Sequence, residues 1–277
     1  MTRTLYVTDM DGTLLNNGSF ISNRSSAIIS DLSHAGALVT VATARTPATV
    51  VPLMEGTFTT VPYVVLTGAA MYDHATSAYH DVNYIPPSDC ELLQTLYAEA
   101  GIHPFVYHLD SGGGLVVYHH HEMTDAERDF YMPRSHLKLK RFTFEKMASG
   151  ENNNVILLFA TGRRRDIMPL ADAISETGRF SVSCYPDIFT PDIMLLEVFS
   201  SGVSKANAIQ HLMSSTGASR LVAFGDNLND LPMLDIADVA VAVANAHPRV
   251  KESADIVIGP NFDDSVARFM LHDFYNH

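Results

Sequence analysis

Cysteine and positive charge are both scarce in this sequence. Its two cysteines, Cys90 and Cys184, stand far apart and in no CxxC spacing, which excludes a disulfide framework and a thiolate zinc site; both are expected as reduced, buried thiols. Only 18 Lys and Arg face 31 Asp and Glu, and the formal charge of -13 opposes loose attraction to nucleic acid or to an anionic membrane surface. Neither partner is expected, and an anionic substrate must be held by a local positive site. No apolar run approaches the ~18 residues of a membrane-spanning helix. Asp9 and Asp11 interrupt the first apolar run before a signal-peptide core could form, so a cytoplasmic enzyme is expected. Internal repeats and low-complexity tracts are also missing.

Apolar residues make up 47% of the chain and charged residues 18%, the balance of a sequence that folds around a core. At 277 residues it exceeds the usual single-domain size, and two modest domains are expected. Leu5-Tyr6-Val7 reads as a buried strand that ends in the turn-forming run Asp9-Met10-Asp11-Gly12-Thr13. Ser22 can cap a helix carrying Ala27, Ile28, Leu32 and Ala35, with Gly36 as its stop. Ala37 to Ala42 reads as a second strand, Thr46-Pro47 as a helix start, and Val64-Val65-Leu66 as a third strand. Continuous rather than alternating apolarity suits a parallel sheet covered on both faces. The same grammar returns after Ser204, with strands at Leu221–Phe224, Val239–Val243 and Ile256–Ile258 and helices between and after them. Residues 83–198 read differently, with more His, Tyr and charge, and are expected to form an inserted α+β domain.

Asp9 and Asp11 sit where open α/β sheets place their ligands, just past the carboxyl end of a strand. Paired carboxylates there suit phosphoryl transfer: one attacks phosphorus, and the other protonates the departing alcohol and later takes a proton from water. They are also hard oxygen donors for Mg²⁺. Gly225-Asp226-Asn227-Leu228-Asn229-Asp230 follows another strand; Asp226 can complete a magnesium shell, Asp230 can orient it, and Asn229 can donate to phosphate. Thr43 ends the second strand, where its hydroxyl and the next backbone amides can donate to a phosphate oxygen. Lys205 can supply a compact cation.

In this order and spacing the residues resemble the haloacid dehalogenase superfamily, specifically its Cof-like sugar-phosphatase branch with a subclass IIB cap. Leu196-Glu197-Val198 before Gly202-Val203-Ser204-Lys205, and Asn245-Ala246 before Val250-Lys251 and Ala254-Asp255, extend the likeness. The resemblance implies an α/β, Rossmann-like core with a mainly parallel sheet over residues 1–82 and 199–277, and a substrate-selecting cap over 83–198. It implies Asp9 as nucleophile, Asp11 as general acid/base, and Thr43 and Lys205 as phosphate anchors. Met10, Ala44 and Asn229 join the phosphate contacts. Asp9, Asp226 and the backbone carbonyl of Asp11 become Mg²⁺ ligands, with Asp230 behind them. The implied activity is a Mg²⁺-dependent phosphomonoester hydrolase acting on small phosphorylated metabolites, sugar phosphates first, through an aspartyl phosphate. A phosphomutase of the phosphomannomutase kind shares these residues, and a sensor that binds sugar phosphate without turnover is a third reading. Two departures stand out: Ala44 where the family has glycine, and Thr67-Gly68 where it has Asn-Gly.

His119-His120-His121 follows a strand of the insert with no carboxylate partner identified, and reads as a partly exposed edge rather than a metal site. Arg163-Arg164-Arg165 reads as a solvated helix start.

Overall fold

The structure, a computed structural model, describes residues 3–145, 151–187 and 190–277. In chain order its elements are β1 (Thr4–Thr8), α1 (Asn23–His34), β2 (Leu38–Val41), α2 (Pro47–Leu53), β3 (Tyr63–Val65), β4 (Ala70–Asp73) and β5 (Ala78–His80). There follow α3 (Pro87–Ala100), β6 (Phe105–Leu109), β7 (Leu115–Tyr118), α4 (Asp125–Tyr131), β8 (Arg141–Thr143), β9 (Val155–Arg163), α5 (Arg164–Glu176), β10 (Phe180–Pro186) and β11 (Ile193–Ser200). The chain closes with α6 (Lys205–Thr216), β12 (Arg220–Gly225), α7 (Leu231–Asp235), β13 (Val239–Ala242), α8 (Pro248–Ser253), β14 (Ile256–Val257) and α9 (Ser265–Asn276). Contacts divide it into two compact units, Met1–Asp81 with Ser204–His277, and Val82–Val203. The division falls a few residues beyond 198 because β11 runs to Ser200, paired with β9 and β10, before the chain leaves the second unit's sheet.

The first unit is built on a parallel sheet of order β14-β13-β12-β1-β2. Leu5, Val7, Val222 and Ala223 are wholly buried, as a sheet covered on both faces requires. β3 belongs to this sheet only through one parallel bridge, Ala42 to Val64, and then turns back into an antiparallel ribbon with β4 and β5. The expected third strand is thus a short joint, and Leu66 already lies in the turn after it. Ser22 caps α1 through the Ser25 amide at 3.0 Å, and Gly36, at φ +100, ends it. Pro47 opens α2 as expected, but Thr46 makes no side-chain cap there.

The second unit is a six-stranded sheet of order β10-β11-β9-β6-β7-β8, antiparallel except between β7 and β8. Leu93, Tyr97, Leu170 and Ile174 of α3 and α5 pack with Val155, Leu158, Leu196 and Val198 of the strands to form its core. Cys90 is buried in that core, whereas Cys184 is only half-buried, against expectation; neither forms a disulfide. Arg163, Arg164 and Arg165 are exposed at the start of α5. The reading of the histidine run as a partly exposed edge fails for His119, whose ring is enclosed between α4 and the strands; His120 is half-buried and His121 exposed. No described helix is long and apolar enough to cross a membrane.

Candidate active site

β1 lies between β12 and β2 with Thr8 level with Phe224 and with Val41, so the loops after all three strands open at one edge of the sheet. This crowding is set by the parallel register, and it brings residues 9, 43 and 226 together from distant parts of the chain. The Asp9 amide donates to Phe224 O at 2.9 Å, locking the start of the first loop to β12. Gly12 turns that loop at φ +79; a side chain at this position would run into the Asp226 carboxylate.

Lys205 opens α6, which Ser204 caps through the Asn207 amide at 3.1 Å. Its ammonium group is enclosed, donating to Asp9 Oδ1 at 2.5 Å and to Asp230 Oδ1 at 2.7 Å. Asp230 is completely buried, and its Oδ2 accepts from the amides of Asp226 (3.0 Å) and Asn227 (3.1 Å). Asp230 therefore shapes the turn that presents Asp226 while holding Lys205 against Asp9. Asp226 Oδ1 accepts from Thr13 Oγ1 at 2.9 Å, and its backbone carbonyl accepts from the His247 amide at 2.8 Å.

Carboxylate oxygens of Asp9, Asp226 and Asp230 lie within 4.8 Å of one another. One ammonium faces these three acids, so the edge is short of positive charge. Burial pushes Asp9 up to about 7, with Asp230 and Asp226 adding to the effect and Lys205 opposing it. Burial likewise lifts Asp226 to about 6, against the Thr13 hydrogen bond. Lys205 stays charged, since Asp9 and Asp230 outweigh the cost of burying it. A hard divalent cation fits this donor set: Asp230 is spent on Lys205 and two amides, while Asp9 and Asp226 each keep an oxygen outside the hydrogen bonds described.

Other residues singled out in the sequence are placed less uniformly. The Asp11 carboxylate is not turned toward Asp9; it forms a two-pronged pair with Arg45, Nε to Oδ2 at 2.7 Å and Nη2 to Oδ1 at 2.6 Å. Thr43 is buried, and its Oγ1 accepts from the Arg45 amide at 3.2 Å. Met10 is wholly buried by its side chain, so only its backbone is available to a ligand. Ala44 is half-buried beside Thr43. Asn229 is exposed and takes no part in the network around Lys205.

Sequence reasoning gave no role to Arg45, Thr13 or Asn245. Asn245 donates to Gly12 O at 2.7 Å and accepts from the Asn261 amide at 2.9 Å, while Asn261 donates to Leu15 O at 2.7 Å, so the loop after Asp9 is tied down from the far end of the chain. Asn245 and Thr13 stood within recognised segments; Arg45 had only its place after Thr43. Thr67 lies at φ +58, a left-handed conformation costly for a β-branched residue, and its buried hydroxyl has no hydrogen-bond partner. Gly68 follows at φ +94, where a side chain would collide with the backbone of Ser204 just before Lys205.

The chain is similar to known proteins over nearly its whole length. The chain is 26% identical over 271 residues to a putative phosphatase of Haemophilus influenzae, covering 96% of each chain. It is 26% identical over 286 residues to the pyridoxal phosphate phosphatase YbhA of Escherichia coli, covering 100% of this chain and 99% of the relative. Its fold matches that of a haloacid dehalogenase-like hydrolase from Bacteroides thetaiotaomicron with a TM-score of 0.77 at 21% identity, over 98% of this chain and 99% of the other. The family model of haloacid dehalogenase-like hydrolases matches residues 6–270, and the chain belongs to that family.

Proposed function

We propose that the protein is a Mg²⁺-dependent phosphatase that cleaves small phosphorylated metabolites through a phosphoryl group carried on Asp9. The observation that carries this reading is the enclosed Lys205 ammonium bonded to both Asp9 and Asp230, beside Asp226 at the same sheet edge. Asp9, Asp226 and the Asp11 backbone carbonyl would hold the magnesium ion, which supplies positive charge for the three acids and the incoming phosphate.

Asp9 attacks phosphorus with one carboxylate oxygen as the bond to the substrate alcohol breaks. Asp11 delivers a proton to the leaving oxygen, then removes one from the water that cleaves the aspartyl phosphate, releasing inorganic phosphate and restoring Asp9. Both Asp11 oxygens are held by Arg45 at rest, so the carboxyl group leaves that pair to reach the substrate oxygen. Lys205 holds Asp9 in place and offers charge to the phosphate, and Thr43 with the amides of Met10 and Ala44 supplies neutral donors. Asn229, exposed on the turn after β12, reaches the phosphate only by turning inward. The second unit chooses the leaving group. Pyridoxal phosphate, the substrate in the name of one relative, belongs beside sugar phosphates in the first trial panel.

The test is phosphate release from phosphorylated sugars, nucleotides and cofactors with Mg²⁺ present, in the wild-type protein and in Asp9→Asn. Release should vanish in Asp9→Asn and in excess chelator. Persistent release in either sinks the proposal, and an isomeric phosphate ester formed without inorganic phosphate replaces the hydrolase with a mutase.

A further inference from the structure

The second unit gathers a separate set of donors at the end of β7. His119 and His120 follow that strand, and the His119 amide still donates to Thr143 O of β8 at 3.0 Å. Glu127 lies in the first turn of α4, where a capping box fixes it: its Oε2 accepts from the Thr124 amide at 2.7 Å and from Thr124 Oγ1 at 3.0 Å. Its other oxygen, Oε1, faces His119 Nε2 across 3.7 Å, and both side chains are buried.

The ring of His119 is held against Phe105, with centroids 3.9 Å apart, and its Nδ1 lies 2.9 Å from the carbonyl oxygen of His120. A carbonyl only accepts, so Nδ1 donates to it, and Nε2 is the ring nitrogen turned toward Glu127. That Nε2 is buried with no hydrogen-bond partner. A buried ring nitrogen and a buried carboxylate oxygen thus face each other away from water, too far apart for a hydrogen bond and with room for a cation between them. Donors around a tetrahedral zinc ion, each about 2.0–2.2 Å from the metal, stand roughly 3.4 Å apart, close to the spacing seen. A ring nitrogen of His120 completes a set of three donors lying within 4.8 Å of one another. The Nδ1–H to carbonyl bond is also the support that metal-bound histidines receive.

We propose that His119, His120 and Glu127 bind one zinc-class divalent cation in the second unit, apart from the acidic edge of the first. Two imidazoles and a carboxylate favour zinc over magnesium, whereas the acidic edge offers only oxygen. Three protein donors leave a fourth position for water or a small ligand. His120 and Glu127 line a cavity of about 1160 Å³ through which the ion and that ligand can enter. Once bound, the ion ties the end of β7 to the first turn of α4.

Full-length protein is stripped with a chelator, exchanged into excess Mg²⁺ to occupy the acidic edge, and given half an equivalent of Zn²⁺. Zinc should remain bound through gel filtration and raise the melting temperature. Its X-ray absorption edge should show two imidazole nitrogens at about 2.0–2.1 Å. His119→Gln and Glu127→Gln should each weaken zinc affinity at least ~10-fold, with Asp226→Asn leaving it unchanged. Zinc that is not retained, that binds equally well in both cap variants, or that is lost in Asp226→Asn overturns the proposal. Should a cap variant fail to fold, the absorption spectrum of the unaltered protein decides: an all-oxygen shell refutes the site.

Discussion

Lys205→Met, which keeps the side chain's bulk and removes its charge, should destabilise the metal-free protein by an amount that grows with pH. The ammonium is enclosed with Asp9 and Asp230 at 2.5 and 2.7 Å, so its loss leaves buried carboxylates without their cation. Breaking a buried pair in this way costs about 3–5 kcal/mol when the remaining acids are charged. Asp9 in the folded protein lies at about 7 against an ordinary 3.8. An acid raised on folding binds more protons in the native state, so its contribution to stability is full below about 3.8 and is lost as pH rises through about 7. Removing Lys205, which opposes that rise, moves Asp9 higher still. Below about pH 6 Asp9 is neutral in both proteins, so the loss there is confined to the Lys205 contact with Asp230 and one hydrogen bond to Asp9. Above Asp9's native value the gap widens by about 1.4 kcal/mol per pH unit until the variant's own value is reached, adding roughly 2 kcal/mol by about pH 8.5. Urea unfolding in excess chelator, followed by circular dichroism at about pH 5.5 and about pH 8.5, measures both losses. Equal losses at the two pH values, or a loss under about 1 kcal/mol at the higher one, refute the account of Lys205 as the counter-charge of this edge.

The acids at about 7 and about 6 must shed protons to take up a cation, so magnesium affinity should rise between about pH 5.5 and about pH 8 with proton release, readable by calorimetry in two buffers. Asp226→Asn should weaken that affinity at least ~10-fold; an unchanged titration removes Asp226 from the ligand set. With an activated aryl phosphate, Asp11→Asn should give a burst of about one equivalent of phenol and then stall with phosphate on Asp9, while Asp9→Asn gives none. Steady, undiminished turnover without a trapped intermediate means that Asp11 is not the base. Thr67→Asn should raise stability by about 1 kcal/mol, because asparagine accepts the left-handed backbone that threonine occupies under strain; no gain in thermal unfolding discards that reading.

Much of the first unit could be read from the chain because buried parallel strands are short, continuous apolar runs that end in turn-forming residues. Leu5-Tyr6-Val7 before Asp9, and Leu221 to Phe224 before Asp226, announce both strand and loop, and the structure puts the two loops side by side through the β1 and β12 register. A lone lysine at a helix start is usually solvated, yet Lys205 is the most enclosed cation at the edge. Nothing local distinguishes it. Its burial follows from α6 entering the sheet edge between Asp9 and Asp230, a contact across 196 residues in one direction and 25 in the other.

The same limit explains Asp11 and His119. Sequence fixes that a carboxylate stands two positions after Asp9, but its resting partner is Arg45 on a loop after a different strand, and the choice between facing Asp9 and facing Arg45 is made by packing. His119 carried no visible acid partner because Glu127 is brought to it by the path of the chain from β7 into α4. The sequence by itself determined residue types and local backbone: which runs are buried strands, where turns expose acids, which helix ends are capped. Those depend on interactions within a few residues. Burial, the charge that each acid holds, and the pairing of distant side chains were decided only by the tertiary structure, because desolvation and Coulomb terms depend on what else occupies the space, and that space is filled from both ends of the chain.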